Sequence, residues 1–219
     1  MTAVLTPVRP KVLATRFIPN VPADLARAYG FGPAHASAAL VTADQDDALY
    51  VALDEATKNA PVEIVFAKSL YAGSNHAPGP FSGECLGIIG GASPEDVKEG
   101  LAAAIRCLEE DACFYTGDAA GKLMLFPHVV ASIGKYLAKE AELPEGVPIA
   151  YLIAPPLEAV IGLDAALKAA DVHLQKSFAP PTNTNFGGGY LTGPLEQCEA
   201  AAVAFARTVV ELAAQPRVL

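Results

Sequence analysis

The spacing of apolar residues predicts alternating strands and helices along the first half of the chain. Short apolar runs at residues 11–18, 62–67 and 85–89 predict strands. The stretch PADLARAYG predicts a short helix that ends at Gly30. A longer helix is predicted to begin at Ser93, because Ser is a favourable N-cap and the Pro-Glu-Asp sequence after it suits a first helical turn.

The acidic run DQDD, from Asp44 to Asp47, is predicted to form a hairpin turn. It lies between ASAALVTA and ALYVAL, two apolar runs that both predict strands. The polar stretch DEATKNA that follows predicts a short helix.

The second half of the chain continues this alternation. A strand is predicted near Cys113 to Thr116, then a helix from about Lys122 to Glu140, then the strand IAYLIA. The helix LEAVIGLDAALKAA, the strand VHLQKS, a further strand and a final helix complete the half. Several strands are connected by turns rather than by helices, which favours an α+β fold with mixed or antiparallel sheets flanked by helices.

Two segments of the sequence are similar and lie about half the chain apart. LDEATKNAPVEIVFAKSL starts at Leu53 and LDAALKAADVHLQKSF starts at Leu163, so their numbering differs by 110 (163 − 53). A Lys-Ser pair near the end of each segment also corresponds, at Lys68 and Lys176. The order of predicted elements agrees around both segments, so the sequence predicts two similar domains in tandem. Chance similarity between two Ala-rich helix-strand units is the alternative.

Each repeat contains a long irregular segment entered through that Lys-Ser pair. The first is predicted over Ser69 to Ser82 and the second over Ser177 to Gly189, and both are rich in Gly, Pro and Asn. Long loops in compact domains are usually functional. In a ring of three such chains, equivalent loops could meet on the axis and form a gate. Two surface loops without a function are the alternative.

Composition excludes some classes of protein. The chain has 219 residues, of which 52% are hydrophobic, enough for a packed core in one or two domains. No run of 18 apolar residues lacks charges or helix breakers, and the N-terminal residues include Pro and Arg, so we predict a cytosolic protein without a membrane span or signal peptide. The net charge of −9 argues against a nucleic-acid partner.

The residue types that carry most catalysis are scattered. The cysteines are Cys85, Cys107, Cys113 and Cys198. The histidines are His35, His76, His128 and His173. No Cys-x-x-Cys pair is present, and Cys107 and Cys198 fall in helical patterns as small core residues. His76 lies in the first loop, where it could bind a metal or line a pore. No hydrolase, dinucleotide or P-loop motif is complete, so we predict no enzyme, no catalytic residue, no cofactor and no metal.

Three stretches of the sequence resemble a known family. They are TADQDDALYVALDEATKNAPVEIVFAKSLYAGSNHAPGPFSGE, AYLIAPPLEAVIGLDAALKAADVHL, and PPTNTNF with the YLTG that follows it. Over essentially its whole length the chain resembles the EutL-type shell proteins of the ethanolamine-utilisation bacterial microcompartment.

This resemblance implies an architecture and an assembly. It implies two tandem, circularly permuted microcompartment-type domains, which we place at residues 1–111 and 112–219. Proteins of this type form flat homotrimers that look hexagonal and tile with other shell proteins into a shell within the cytoplasm. A central pore on the three-fold axis is opened or closed by loops, and smaller pores near the join of the two domains bind ethanolamine.

The family's small-pore site corresponds to Asp46, Glu84 and Phe114 of this sequence. A carboxylate can accept N–H groups from protonated ethanolamine, and an aromatic face can lie against the cation. Without the resemblance, Asp46 is equally well explained as a solvated turn acid, and Phe114 is better explained as a core residue. Asp44 or Asp47 could be the ligand in place of Asp46.

The gate residues implied by the resemblance lie in the two loops. Those in the first loop are Ser69, Tyr71, Gly73, Asn75 and His76, and those in the second are Pro181, Asn183, Asn185 and Phe186. Because Glu84 directly follows the first loop, ligand binding there is predicted to hold that loop in its closed form.

A trimeric small-molecule sensor is the alternative function, since a ring with ligand-binding loops also fits regulatory proteins. Assembly distinguishes the two: a shell protein should form extended sheets, whereas a sensor should stop at the trimer.

Overall fold

The strands and helices repeat a single order twice in the computed structural model, which describes residues 5–70, 84–179, 182, 185–215 and 217. The first repeat consists of β1 (Thr6–Val8), β2 (Val12–Ile18), α1 (Ala23–Tyr29), β3 (Ser37–Ala43), α2 (Asp46–Asn59), β4 (Val62–Leu70), β5 (Glu84–Gly91) and α3 (Pro94–Glu110). The second consists of β6 (Phe114–Thr116), β7 (Met124–Val130), α4 (Lys135–Ala141), β8 (Ile149–Ala154), α5 (Pro156–Ala169), β9 (His173–Phe178), β10 (Gly187–Thr192) and α6 (Leu195–Ala214). This shared order confirms the predicted tandem duplication.

The two sheets share a core of four strands in one order. The four-stranded sheet has the order β2-β3-β5-β4, and the six-stranded sheet contains the equivalent series β7-β8-β10-β9. In the six-stranded sheet, β1 and β6 extend the edge beside β7. Every strand pair that the structure describes is antiparallel, so the predicted α+β class is confirmed.

The repeats exchange short segments, so the compact units differ from the two halves of the sequence. The first unit contains the described residues of Arg9–Ala112 together with Gly134–Glu142. The second unit contains residues 5–8, Cys113–Ile133 and the described residues from Leu143 onwards. Helix α4 therefore belongs to the first unit, and β1 belongs to the second. The predicted domain boundary between residues 111 and 112 stays a prediction.

Each unit has its own apolar core between a pair of helices and a sheet. In the first unit, α2 and α3 pack on each other and on the four-stranded sheet. Its fully buried side chains include Leu49, Leu53, Ile89 and Leu108. In the second unit, α5 and α6 pack on β8 and its neighbours. Its fully buried side chains include Leu125, Leu152, Leu191 and Phe205.

Helix α3 begins as its sequence predicts. The Asp96 N–H donates to Ser93 Oγ at 3.1 Å, and the Ser93 N–H donates to Asp96 Oδ2 at 3.1 Å. These reciprocal bonds form a capping box, which satisfies two N–H groups that a helix end otherwise leaves open. The predicted start of this helix at Ser93 is confirmed.

The predicted hairpin turn over DQDD is wrong. Asp46 and Asp47 form the first turn of α2, which also contains the ALYVAL run. Ten of the fourteen α2 residues are buried, because the sheet, α3 and α4 all pack against this helix. Because several sides of this helix are covered, its apolar residues follow one another without interruption in ALYVAL, and so short an apolar run cannot be distinguished from a strand by its period alone.

The predicted helix from Lys122 to Glu140 is also wrong. Its first part is strand β7, and only its last part is helical, as α4. Pro127 lies inside β7, where a proline would normally disfavour a strand. It is tolerated because β6 pairs only with Met124 and Leu125, so the ladder on that side ends before Pro127.

Strands extend into both of the predicted irregular segments. Ser69 lies in β4 opposite Cys85, and Ser177 lies in β9. The glycines that close the second predicted loop belong to β10, where a Cβ on Gly188 would come within 1.8 Å of the Leu152 carbonyl oxygen. These glycines therefore permit close strand pairing. Between these strands lie residues 71–83 and 179–186, most of which are outside the described residues.

Helix α4 is held on α2 by side-chain caps from α2. The Gly134 N–H donates to Asp54 Oδ2 at 2.7 Å, and the Leu137 N–H donates to Asp54 Oδ1 at 2.8 Å. The Lys135 N–H donates to Thr57 Oγ1 at 3.1 Å. A Cβ at Gly134 would lie 2.6 Å from that hydroxyl oxygen, so glycine lets the two helices approach. The N-terminal N–H groups of α4 thus find acceptors in a part of the chain that is distant in sequence.

We expect Asp54→Ala to destabilise the fold strongly. Asp54 is fully buried, and its removal leaves two buried N–H groups without an acceptor, which costs about 2–4 kcal/mol in the free energy of unfolding. Urea unfolding at one fixed protein concentration measures the change. As a control, Glu211→Ala removes an exposed ion pair with Arg207 and should change stability by less than about 0.5 kcal/mol. Equal losses in the two variants would refute the capping role.

Candidate functional site

Three carboxylates are buried where β3 passes into α2. Asp44, Asp46 and Asp47 are 6%, 7% and 7% exposed. Asp46 and Asp47 occupy the first turn of α2, where the partial positive charge of a helix N-terminus favours a carboxylate. This cluster places three acidic side chains at one end of the first unit.

Asp46 has polar neighbours on two sides. The Asp47 N–H donates to Asp46 Oδ1 at 3.0 Å, and the Ser69 side chain lies near the Asp46 carboxylate. Burial raises the pKa of the Asp46 carboxyl above its ordinary value, and these polar neighbours offset only part of the effect. A bound cation would reverse this balance, because it favours the ionised form.

Asp44 has a structural role in the same cluster. Its Oδ1 accepts the Lys11 N–H at 2.7 Å, and the Asp44 N–H donates to the Lys11 carbonyl at 3.3 Å. Asp44 therefore ties the residue before β2 to the end of β3. The choice of ligand among Asp44, Asp46 and Asp47 stays open.

Two further titratable groups border the acids and stay protonated. The Cys85 thiol donates to the Ala43 carbonyl oxygen at 2.7 Å. Burial, with added repulsion from the neighbouring aspartates, raises the pKa of Cys85 to about 12. Burial and the charges of Asp46 and Asp47 likewise raise the pKa of Tyr50. A thiol with so high a pKa is a poor nucleophile, so this cluster favours binding over catalysis.

Glu84 begins strand β5 at the same end of the four-stranded sheet. Glu84 pairs with Leu70 across the β4–β5 ladder, and the adjacent pair joins Ser69 with Cys85. Ser69 contacts Asp46, so the structure brings the backbone of Glu84 to within one residue pair of the Asp46 partner. The two predicted acids therefore occupy one region of the first unit.

Phe114 belongs to a row of aromatic rings in the second unit. Phe114 and Phe126 have ring centroids 5.0 Å apart, and Phe126 is followed by Tyr151 at 5.3 Å. Tyr190 lies 4.6 Å from Tyr151 and 5.0 Å from Phe178. The row follows the strand order β6-β7-β8-β10-β9, and Phe114 is 2% exposed within it. Packing explains this position, and a ligand contact stays a prediction.

Three of the predicted gate residues are described. Ser69 is a buried strand residue, and Phe186 packs on Phe114 with ring centroids 6.0 Å apart. Asn185 has φ 61°, a left-handed conformation that Asn tolerates better than most residues, and its N–H donates to the Thr182 carbonyl. The remaining gate residues lie outside the described residues: Tyr71, Gly73, Asn75, His76, Pro181 and Asn183.

Two roles were missed by sequence reasoning. Ser69 lies near the candidate acid Asp46, whereas its sequence predicts only a gate residue. Alternation along β4 could have shown that Ser69 and Ala67 share a face of the strand. Asp54 caps a helix from the second repeat, and its sequence position in the middle of α2 gives no signal for this contact.

Other features of the described residues bear on function. Among them, no helix is long and apolar enough to span a membrane. In the same part of the chain, no three His, Cys, Asp or Glu side chains are arranged to hold a metal ion. All four cysteines are buried and free of disulfides.

We expect Asp46→Asn to change the pH dependence of stability in a defined direction. Because the pKa of Asp46 is raised in the folded protein, its stabilising contribution is fully present below the pKa of the unfolded chain. That contribution is lost as the pH rises through the folded pKa. Asn does not titrate, so the stability of the parent relative to the variant should fall as the pH rises from the ordinary pKa of an aspartate, about 3.9, through the raised pKa of folded Asp46. Urea unfolding across this range measures the difference.

Asp118→Asn provides a control with the opposite sign. N–H groups of Leu123 and Lys122 donate to the Asp118 carboxylate and lower its pKa. Its contribution is present above the unfolded pKa and lost as the pH falls through the folded pKa. If the two variants gave the same sign of pH dependence, the assignment for Asp46 would be wrong.

Comparison with known proteins identifies one family. Residues 37–116 match the BMC domain. The bacterial microcompartment shell protein EutL of Clostridium perfringens is 45% identical over 209 residues, which cover 95% of this chain and 96% of that protein. EutL of Escherichia coli is 46% identical and covers 95% of each chain.

A solved structure gives the same result. The crystal structure of ethanolamine utilization protein EutL from Leptotrichia buccalis has a TM-score of 0.93 at 46% sequence identity, and covers 98% of this chain and 99% of that one. Because nearly half of the residues are identical over almost the whole length of both chains, this chain belongs to the EutL family of bacterial microcompartment shell proteins.

Proposed function

We propose that the chain forms pseudohexameric trimers with a gated central pore, and that Asp46 and Glu84 bind ethanolamine in a small pore of each subunit. The coarser role follows from membership of the family. The chain is a structural component of the ethanolamine-utilisation microcompartment shell within the cytoplasm, where it assembles with other shell proteins, and it is not an enzyme. This role favours the shell over the sensor.

The observation that carries ethanolamine binding is the buried carboxylate of Asp46. Burying a carboxylate is unfavourable unless a partner compensates, and here burial raises its pKa. Protonated ethanolamine is a small ammonium with three N–H donors and one hydroxyl. Its ammonium would compensate the charge through charge-assisted hydrogen bonds, each worth about 1.5–3 kcal/mol.

Two further residues are proposed to contact the ligand: Glu84 as a second carboxylate and Phe114 as an aromatic ring. Glu84 offers a second acid at the same end of the sheet, next to the pair formed by Ser69 and Cys85. In this arrangement Asp46 takes the ammonium, and Glu84 takes a further N–H or the hydroxyl. Phe114 remains a proposed aromatic contact with the cation, on the strength of the family resemblance alone.

The duplication supports the trimer and its central pore. Three copies of a chain with two equivalent repeats give a ring of six similar repeats. The β4–β5 and β9–β10 connections occupy the same place in the two repeats, so six such segments would face one axis. The gate itself rests on residues within 71–83 and 179–186, most of which lie outside the described residues.

We expect Asp46→Asn to weaken ethanolamine binding by about 10- to 100-fold, because one charge-assisted hydrogen bond is lost. Isothermal titration calorimetry on the assembled protein measures the affinity. Asp118→Asn also removes one carboxylate, but from the second unit, and should bind as the parent does. Ethylene glycol lacks the ammonium and should not bind to any of the three proteins.

If Asp46→Asn left the affinity for ethanolamine unchanged and Asp44→Asn or Asp47→Asn abolished it, the ligand would be assigned to that neighbouring aspartate instead. Undetectable binding to the parent would reject the ligand altogether. The gating part of the proposal fails separately if crystals grown with ethanolamine have the same central opening as crystals grown without it.

We expect concentrated protein to form extended two-dimensional arrays with a three-fold repeat, because a shell tile must associate through its edges. Negative-stain electron microscopy over a concentration series, with analytical ultracentrifugation of the dilute sample, measures both levels of assembly. Discrete trimers at every concentration would favour the sensor, and monomers would reject the ring.

A further inference from the structure

Helix α5 exposes an apolar face. Leu157 is 60% exposed, Val160 is 59%, Ile161 is 42% and Leu167 is 37%. Their spacing of three, four and ten positions from Leu157 places them on one side of a helix. Single exposed apolar residues are ordinary, but four on one helical face mark a surface that another element covers.

The equivalent helix of the first repeat shows what such a cover looks like. Helices α2 and α5 both have 14 residues, and the numbers of their first residues differ by 110 (156 − 46). Ten residues of α2 are buried, whereas three of α5 are buried by the described residues of the chain. Helix α4 packs on α2 within the first unit and accounts for part of this difference.

The α2 residues that receive α4 correspond to the exposed face of α5. Tyr50 lies against Tyr136 of α4 with ring centroids 6.4 Å apart, and its counterpart at an offset of 110 is Val160. Thr57, which accepts an N–H of α4, corresponds to Leu167. The capping residue Asp54 corresponds to Asp164.

An ion pair shared by the two helices strengthens this correspondence. Asp54 approaches Lys58 at 3.8 Å, and Asp164 pairs with Lys168 at 2.7 Å, with the lysine four positions later in both helices. The Asp164 side chain is 56% exposed, whereas Asp54 is fully buried. The face of α5 therefore corresponds to the α2 face on which α4 packs, but the described residues of the chain leave it exposed.

The helix of the first repeat that corresponds to α4 is α1. Helices α1 and α4 both have seven residues, and their numbering differs by 112 at each end (135 − 23 and 141 − 29). Both end at a residue in the left-handed conformation, Gly30 with φ 75° and Glu142 with φ 55°. Leu137 of α4 is fully buried, but the described part of the chain buries none of the α1 residues, including its counterpart Leu25.

We propose that α1 of one copy of this chain packs on α5 of a second copy, in the way that α4 packs on α2 within one chain. Leu25 then covers the apolar stripe, and the Leu25 N–H points to Asp164 as the Leu137 N–H points to Asp54. The donor and acceptor are different surfaces, so the contact is head-to-tail and can close into a ring. Closure at three copies rests on the proposed trimer.

This arrangement predicts a specific neighbour for Val160. Tyr50 contacts Tyr136, so the counterpart of Tyr136 should lie near Val160 across the interface. That counterpart is Asp24 in the first turn of α1, with a side chain 91% exposed. A negative charge at position 160 would therefore face another negative charge while the interface is being desolvated.

We expect Val160→Glu to dissociate the trimer, with the dissociation constant raised about 100-fold or more. Sedimentation velocity over a concentration series measures the association. Val203→Glu is the matched control: Val203 is 70% exposed on α6, so it receives the same change outside the proposed face and should leave the trimer intact. Circular dichroism should show both variants folded, since each substitution is at an exposed position of the single chain.

A second variant tests the pairing itself. Asp24→Lys combined with Val160→Glu places opposite charges across the proposed interface and should restore much of the association that Val160→Glu loses. Recovery in this double variant distinguishes direct contact from a general effect of added charge.

The outcomes separate this inference from the function on which it rests. A trimeric parent with a trimeric Val160→Glu variant overturns the α1–α5 contact and leaves the proposed trimer standing. A trimeric parent whose Val160→Glu variant is monomeric, but is not rescued by Asp24→Lys, overturns the assigned neighbour. A monomeric parent overturns the trimer and the contact together.

Discussion

The attachment of α4 to α2 by Asp54 determines how the chain is divided. A fully buried carboxylate is costly, and this one is retained because it accepts two N–H groups from the first turn of α4. The contact brings Gly134–Glu142 into the first unit, although these residues follow the first strands of the second repeat. A helix of the second repeat is thus part of the compact unit formed by the first repeat.

The same exchange explains why the two repeats differ in burial while sharing one order of elements. In the first unit, α2 is covered by the sheet, α3 and α4, and ten of its residues are buried. In the second unit, the equivalent helix keeps a receiving face of Leu157, Val160 and Leu167. A repeat that gives a helix to its neighbour and receives one in return is suited to a closed ring, since every surface then has the same kind of partner.

The candidate site has a different physical origin. Asp46 lies at a helix N-terminus, where a carboxylate is favoured, but it is also buried beside Asp47. Strand β4 brings Ser69 to this acid, and the β4–β5 ladder brings Glu84 to the same end of the sheet. Buried acids with raised pKa values are typical of functional sites, because folding alone gains little from them. The small cation that we propose as ligand would offset this cost by favouring the ionised form.

The sequence by itself determined the features that depend on neighbouring residues and on comparison of its two halves. The duplication at an offset of 110, the capping box at Ser93, the end of α1 at Gly30 and most of the strands could all be predicted. Asp46 and Glu84 were predicted as site residues from the family resemblance, and the pairing of β4 with β5 then places the Glu84 backbone at the end of the sheet where Ser69 lies near Asp46.

Only the tertiary structure decided the features that depend on distant residues. The run ALYVAL in helix α2 predicts a strand when it is considered alone, and only the packing of the sheet, α3 and α4 around the helix explains why it is buried. Strand β7 contains Pro127, which its neighbours in sequence do not explain. The structure explains it, because the pairing with β6 ends at Leu125, before the proline. The roles of Asp54 and Ser69 depend on partners that are distant in sequence. A local pattern cannot encode the burial of a surface whose cover comes from another part of the chain.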